Sequence, residues 1–311
     1  MYDIRPAAQD DLDAVLALVL RLQADDAHHI GYLGETLGDI SAELAEFEPD
    51  WASCTVVATD DSGWVCGALS VEVDPESHRA YLHGPFVDVP VNHPAGSRIW
   101  DQTADALYAA ASSLFDGVAD RELLGHTGHR RLAAFAERHG FAAARPCGIH
   151  VLDGDGLRAL LLREASCPRT GPAREMRVLP TDPVVHQAVA VLHDRCFPRS
   201  HLPGRRLVDG SRPHTVVVAM DGDRVLGYAS GKAEPGEFYL DFVAVEPDVR
   251  GQGVGAALVT ELVWKLAEAS GARPQVAAAI LAGNRSSQRL FDRLGFRLHL
   301  ELVAYRANAA A

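Results

Sequence analysis

Arg250-Gly251-Gln252-Gly253-Val254-Gly255 sets three glycines at alternate positions between two contrasting patterns. Ahead of it run an apolar strand, Phe238-Tyr239-Leu240-Asp241-Phe242-Val243-Ala244-Val245, and a turn, Glu246-Pro247-Asp248-Val249. Behind it, the spacing predicts a helix from Ala256 to about Ser270, with Leu258, Leu262, Leu266 and Ala269 on its buried stripe. Alternate glycines leave backbone N–H groups unobstructed, and the helix N-terminus adds the positive end of its dipole. Together they make a seat for a pyrophosphate. A dinucleotide site could use such a seat, since Gly251, Gly253 and Ala256 fit G-x-G-x-x-A. That site also needs a strand ending in an acid about 20 residues onward. Residues 270–275 read S-G-A-R-P-Q, so the oxidoreductase reading fails.

A second motif follows the next strand, at about Gln275 to Leu281: Asn284-Arg285-Ser286-Ser287-Gln288-Arg289-Leu290-Phe291-Asp292-Arg293-Leu294-Gly295-Phe296. The R-G-x-G-x-G loop after a V-x-P turn, joined to this N-to-L-G-F segment, resembles the GNAT superfamily of acetyl-CoA-dependent N-acetyltransferases over nearly all of residues 176–306. The resemblance implies an α/β (α+β) fold, a mixed and mostly antiparallel sheet flanked by helices. It implies acetyl-CoA as cosubstrate, a small-molecule primary amine as acceptor, and no metal. By the same resemblance, Arg250, Gly251, Gln252, Gly253, Val254, Gly255 and Ala256 hold the CoA pyrophosphate through backbone amides. Val243 and Val245 pair with the pantetheine as if it were an added strand, and the Val243 N–H polarises the thioester carbonyl. Asn284 would meet the pantetheine arm; its place before Arg285-Ser286-Ser287 also suits a helix N-cap, and the two roles are compatible.

Phe291, in the cofactor-binding set, stands where many members of the family carry the tyrosine that protonates the leaving thiolate. Phenylalanine has no such proton, so either another group supplies it or the thiolate leaves unassisted. For the general base, alternation along the strand puts Asp241 and Tyr239 on the face of Val243. Asp241 is then either a base acting through water or a hydrogen-bonded structural carboxylate. Glu234 and Glu237, in the preceding turn, are solvated alternatives.

Working outward, the chain reads as two copies of one plan. The weakest stretch for regular structure is Ser166 to Pro180, with three prolines and a glycine. The expected division is a first domain at 1–165, a linker at 166–175 and a second domain at 176–311. Each half starts with a short apolar piece, a proline and an acid-capped amphipathic helix. Asp10 or Asp11 would cap the first, with Leu12, Val15, Leu16, Val19 and Leu20 on one face; Thr181 or Asp182 would cap the second. A hairpin follows in each half, and each closes on Gly-Phe: Gly140-Phe141 and Gly295-Phe296, 155 residues apart. At that offset Arg250–Gly255 falls on Ala95-Gly96-Ser97-Arg98-Ile99-Trp100, Asn284 on His129 and Phe291 on Ala136. Two of the three glycines are lost, which marks the first half as a degenerate, non-catalytic copy. His126-Thr127-Gly128-His129 and His28-His29 lack a third metal ligand nearby and read as loop residues.

The chain's 311 residues, 48% hydrophobic and 23% charged, describe an ordinary globular protein. A net charge of −13 argues against a nucleic-acid partner. It is uneven: residues 1–165 carry 11 basic and 27 acidic groups, and residues 166–311 carry 18 and 15. The acidic half would raise the local concentration of a cationic amine, or simply keep the protein soluble. Five cysteines without a C-x-x-C pair suit a reducing compartment, and neither a signal peptide nor a membrane-length apolar run is apparent. The expectation is a cytoplasmic monomer or homodimer, similar in plan to mycothiol synthase. The competing reading is a CoA-binding regulatory or scaffolding protein without turnover.

Overall fold

In a computed structural model of the chain, residues 2–75, 78–90, 92–166, 175–198, 200, 202–211 and 213–308 are described. The expected linker falls almost wholly outside them. The chain forms two compact units, Met1–Cys147 with Leu300–Ala311, and Gly148–His299. No described helix is long and apolar enough to cross a membrane.

The first unit runs β1 (Asp3–Pro6), α1 (Leu12–Gln23), α2 (Leu37–Ala45), β2 (Thr55–Thr59), β3 (Val65–Asp74), β4 (Arg79–Val87), α3 (Gly96–Ala111), β5 (Asp120–His126), α4 (Arg130–Arg138) and β6 (Ala142–Ala143). The second runs β7 (Cys147–Asp153), α5 (Gly154–Ser166), β8 (Glu175–Val178), α6 (Pro183–Cys196), α7 (Gly204–Val208), β9 (Thr215–Asp221), β10 (Arg224–Ala233), β11 (Glu237–Val245), α8 (Val254–Ser270), β12 (Gln275–Leu281), α9 (Arg285–Leu294) and the start of β13 (Arg297–Ala307). Strand order in the second unit is β7-β12-β11-β10-β9-β8, with β11 and β12 parallel and the β8–β9, β9–β10 and β10–β11 pairs antiparallel. The first unit repeats it as β13-β5-β4-β3-β2-β1, with β4 and β5 parallel.

Period-2 patterning gives each strand of the second unit two working faces. In β9, Val217 and Ala219 join Leu258, Leu262 and Leu266 of α8, while Val216, Val218 and Met220 join Val185, Val189 and Leu192 of α6. α8 buries a wider stripe than expected, Val254, Leu258, Val259, Glu261, Leu262, Val263 and Leu266, and Ala269 is exposed. Asp182 caps α6 as expected, its side chain accepting from Val184 N–H at 2.8 Å. Asp11 does not cap α1; it pairs with Arg5 and accepts from Ala8 N–H.

The units divide the chain differently from the sequence repeat. Residues 148–166 form most of β7 and all of α5, and Leu152, Leu157 and Leu160 are buried in the second unit's core. The chain's last strand serves the first unit: β13 pairs with β5 from Leu302↔His126 to Ala307↔Arg121, and Val303, Tyr305 and Ala307 join that core. A repeat period marks where a copy begins in sequence. Which sheet a terminal strand joins depends on where its hydrogen bonds and apolar face find partners.

The 155-residue offset also holds only beyond the long helices, for β5 and β12 (120 and 275) and for α4 and α9 (130 and 285). Before them it is 158, as β4 to β11 (79 and 237) and α3 to α8 (96 and 254) show. The counterpart of Arg250–Gly255 is therefore Asn92-His93-Pro94-Ala95-Gly96-Ser97, in which none of the three glycines survives. Trp100 corresponds to Leu258 and is fully buried; it does not stand in the loop.

Candidate functional site

The glycine loop of the second unit needs its glycines for conformation. Gly251 and Gly253 have φ of 77° and 84°, a region that side-chain-bearing residues rarely adopt, and a Cβ at either would meet nothing within 4 Å. Gly255 is a packing residue, since a Cβ there would lie 3.3 Å from Leu290 Cδ2. Gly253 is the N-cap of the 17-residue α8 and offers no side-chain acceptor, so the first-turn donors beginning with Val254, Gly255 and Ala256 have no side-chain cap. The first helical bond from this end is Ala257 N–H to Gly253 O, at 3.1 Å. Arg250 Nε donates to Val245 O at 2.9 Å and Gln252 Nε2 to Asp248 O at 3.1 Å, which fix the loop's shape. An anion placed here would meet oriented donors.

Beside the loop the sheet opens. β11 and β12 pair from Glu237↔Gln275 only as far as Leu240↔Ala278, although both strands continue. Glu246 N–H donates to Leu226 O, which directs Ala244 and Phe242 toward β10. By alternation the N–H groups of Val243 and Val245 face the opposite edge, where β12 has already diverged. The Val245 carbonyl on that edge is taken by Arg250.

The divergence coincides with a β-bulge. Ser230 pairs with Phe242 and Gly231 with Leu240, which leaves Asp241 as the extra residue. The bulge reverses the alternation: Leu240 packs in the α8 core, Phe242 two residues later in the α6 core, and Val243 again on the α8 side. Tyr239, between Phe238 and Leu240 of the α8 core, therefore lies on the face opposite Val243. The expectation that Tyr239 and Val243 share a face is corrected, and period 2 fails because a bulge adds one residue. The side chain of Asp241 is 8% exposed, and its Oδ2 lies 3.0 Å from His214 Nε2. Nothing in the sequence ties His214 to this site, because the contact spans two strand connections.

Asn284 is the N-cap of α9, accepting from Ser287 N–H at 3.2 Å. Phe291 is 4% exposed and edge-on to Phe296 at 4.9 Å, in the apolar cluster beneath α8 that Val243 and Val245 also pack against. Glu237 accepts from Gln275 Nε2 at 2.9 Å, and Glu234 pairs with Lys232.

The first unit opens at the equivalent point, and there the gap is filled by the chain itself. β4 and β5 pair only to Leu82↔Leu123. Beyond it Ile30 bridges Gly125, with Gly31 N–H donating to Leu124 O at 2.8 Å and His126 N–H to His29 O at 3.0 Å. Gln23 locks the segment, its side-chain amide donating to Ile30 O and accepting from Ile30 N–H. The loop before α3 is held by Arg131, which donates to Val89 O and Pro90 O at 2.7 and 3.0 Å.

That segment brings together histidines distant in sequence. His28 and His129 have ring centres 5.8 Å apart, and His29 and His126 6.4 Å. His28, His29 and His129 lie outside helices and strands, as expected, yet are buried; His126 ends β5, and His129 caps α4 by accepting from Leu132 N–H at Nδ1. Burial first, then the neighbouring histidines and Arg131, push His129 down to about 3. Burial lowers His28 as well. Among the described residues no group of three or more His, Cys, Asp or Glu is arranged to hold a metal.

Residues 186–296 match the family model described as Acetyltransferase (GNAT) family. No curated protein matches the sequence. Among solved structures, the chain is similar to a GCN5-related N-acetyltransferase from Sphaerobacter thermophilus, with TM-score 0.64 and 15% identity over 100% of this chain and 96% of that one. It is also similar to a tandem GNAT protein from the clavulanic acid biosynthesis pathway, with TM-score 0.59 and 18% identity over 100% and 99%. A Drosophila protein matches with TM-score 0.57 and 17% identity over 99% of both chains. At these identities the structures speak for the fold, and the family model speaks for the glycine loop and α9. Residues 186–296 thus match the acetyltransferase (GNAT) family, in a chain whose fold is that of two GNAT-like domains in tandem.

Proposed function

We propose that the second unit transfers an acetyl group from acetyl-CoA to a primary amine of a small molecule, and that the first unit does not bind the cofactor. One contrast carries this reading: the β11–β12 opening beside a glycine loop has no strand added to it among the described residues, whereas its counterpart beside β5 is filled by His29–Gly31. An extended pantetheine arm is a strand-like ligand and can add only to an unfilled edge.

In this reading the N–H groups from Gly251 to Ala256 take the pyrophosphate, where the dipole of α8 favours negative charge. Val243 and Val245 bond the arm, and the Val243 N–H donates to the thioester oxygen as charge builds on it. Asn284 keeps its capping bond while its outer face meets the arm. Phe291 is buried and supplies no proton, so the thiolate leaves unassisted, as an anion of a group whose ordinary pKa is about 8.5 allows.

Release of free thiol on mixing the full chain with acetyl-CoA and a panel of primary amines tests the reaction, and calorimetric titration with CoA tests the seat. The expected results are turnover on at least one amine and a single bound CoA per chain. Two bound CoA molecules would overturn the assignment of the first unit. The buried Phe291 favours a second reading, a CoA-binding protein without turnover; tight CoA binding with no thiol release on any amine would establish it.

A further inference from the structure

Resting on that reading, we propose that His214, oriented by Asp241, is the group that takes the proton from the acceptor amine. His214 immediately precedes β9 and Asp241 is the bulge residue of β11, two strands away. Register explains how they meet: Thr215, Gly231 and Leu240 lie side by side on β9, β10 and β11. At Gly231 a Cβ would come 2.4 Å from Tyr239 O, so the middle strand carries no side chain there. The side chains are 10% and 8% exposed, and Asp241 is the charged group in contact with His214 among the described residues.

Two observations separate this pair from a structural ion pair. Asp241 is the first residue of β11 beyond its last pairing with β12, so the pair sits where the strands part and two residues from Val243. Both ring nitrogens of His214, Asp241 Oδ2 and the hydroxyl of Ser230, on the strand between the two members, are buried without a hydrogen-bond partner among the described residues, so the 3.0 Å approach of Nε2 to Oδ2 is a close charge contact and not a hydrogen bond. Buried polar atoms are normally paired, and exceptions concentrate where a ligand or water completes the set. With Nε2 facing the carboxylate, Nδ1 is the nitrogen left to accept a proton.

His214 Nδ1 takes one proton from the ammonium form of the acceptor; the freed nitrogen pair attacks the thioester carbon, forming the C–N bond as the C–S bond breaks and its electron pair leaves on sulfur. The second nitrogen proton ends on the sulfur as CoA thiol, and His214 returns its proton to solvent. Asp241 is a positioning residue in this scheme, its carboxylate lying against Nε2 and leaving Nδ1 for the amine.

The test uses the full chain with acetyl-CoA and tyramine, spermidine or glucosamine, read by thiol release. In His214→Gln, kcat is expected to fall about 100-fold, with KM for acetyl-CoA within threefold of the parent. Activity should recover as pH is raised, because solvent then supplies the free amine. Asp241→Asn should lose less, about tenfold, and Asp241→Glu should restore part of it; this gentler pair keeps the question open to refutation if His214→Gln folds poorly. If His214→Gln turns over within threefold of the parent, or its loss is the same at every pH, the assignment of His214 is overturned while the acetyltransferase stands. If the parent releases no thiol although CoA binds, the proposed activity itself fails, and the base with it.

Discussion

Single residues decide whether the loop can seat a phosphate. Gly253 holds φ at 84°, where an L-residue costs about 1–2 kcal/mol and a β-branched one more. Gly253→Val should therefore weaken CoA binding at least 100-fold by calorimetry while lowering the melting temperature by only a few degrees, since no atom lies within 4 Å of the added Cβ. CoA affinity unchanged by this substitution would remove the seat from this loop. His129 links stability to pH. Its folded value of about 3 lies below the unfolded 6.5, so between those values the unfolded chain binds more protons and acid destabilises the fold. From pH 7 to pH 5 that amounts to about 2 kcal/mol. Asn284 caps α9 with nearly the same backbone angles, φ −77° and ψ 72° against −77° and 73°, so His129→Asn should keep the cap. Thermal melts at the two pH values should show the parent losing more than the variant; equal losses would refute the role of His129. The sequence showed which glycines matter, and even that His129 and Asn284 correspond. It could not show that His129 is buried, because the burial comes from His28 and Trp100, distant in sequence and packed against it.

At the scale of elements, β11 is the case where a local pattern misleads. Its partial exposure alternates without interruption from Glu237 to Val245, yet the bulge at Asp241 moves the two halves onto opposite cores. Alternation of exposure survived while alternation of face did not, and only the pairing with β10 reveals it. The filled gap in the first unit is the other such case. Ile30 is fully buried and Gly31 has no room for a Cβ, which would lie 2.7 Å from Leu124 Cγ. Ile30→Ala should lower stability by about 2–4 kcal/mol, and hydrogen exchange should show lost protection at the amides of Gly31 and His126. CoA affinity should stay within about twofold; a large change would mean that the first unit takes part in cofactor binding.

For the whole molecule, the two units remain electrostatically unlike when strands are assigned by structure. Met1–Cys147 with Leu300–Ala311 has 10 basic and 25 acidic residues, net −15; Gly148–His299 has 19 and 17, net +2. The unit that would take an anionic cofactor is the one without the acidic excess. The strand assignment makes a further prediction: a fragment of Gly148–His299 should be soluble and melt cooperatively, whereas a fragment cut at the sequence repeat, residues 176–311, lacks β7 and α5 and should not. Cooperative melting of 176–311 with undiminished stability would show that Leu152, Leu157 and Leu160 are dispensable. By itself the sequence determined the duplicated plan, the glycine loop before α8, the cap of α9 and the loss of that loop in the first copy. Each of these depends on residue types at short spacing, where backbone conformation is set locally. Only the tertiary structure decided which strands complete which sheet, that the first copy's gap is occupied, and that His214 meets Asp241. Those outcomes follow from hydrogen-bond register and shared burial between segments far apart in the chain, which no local pattern encodes.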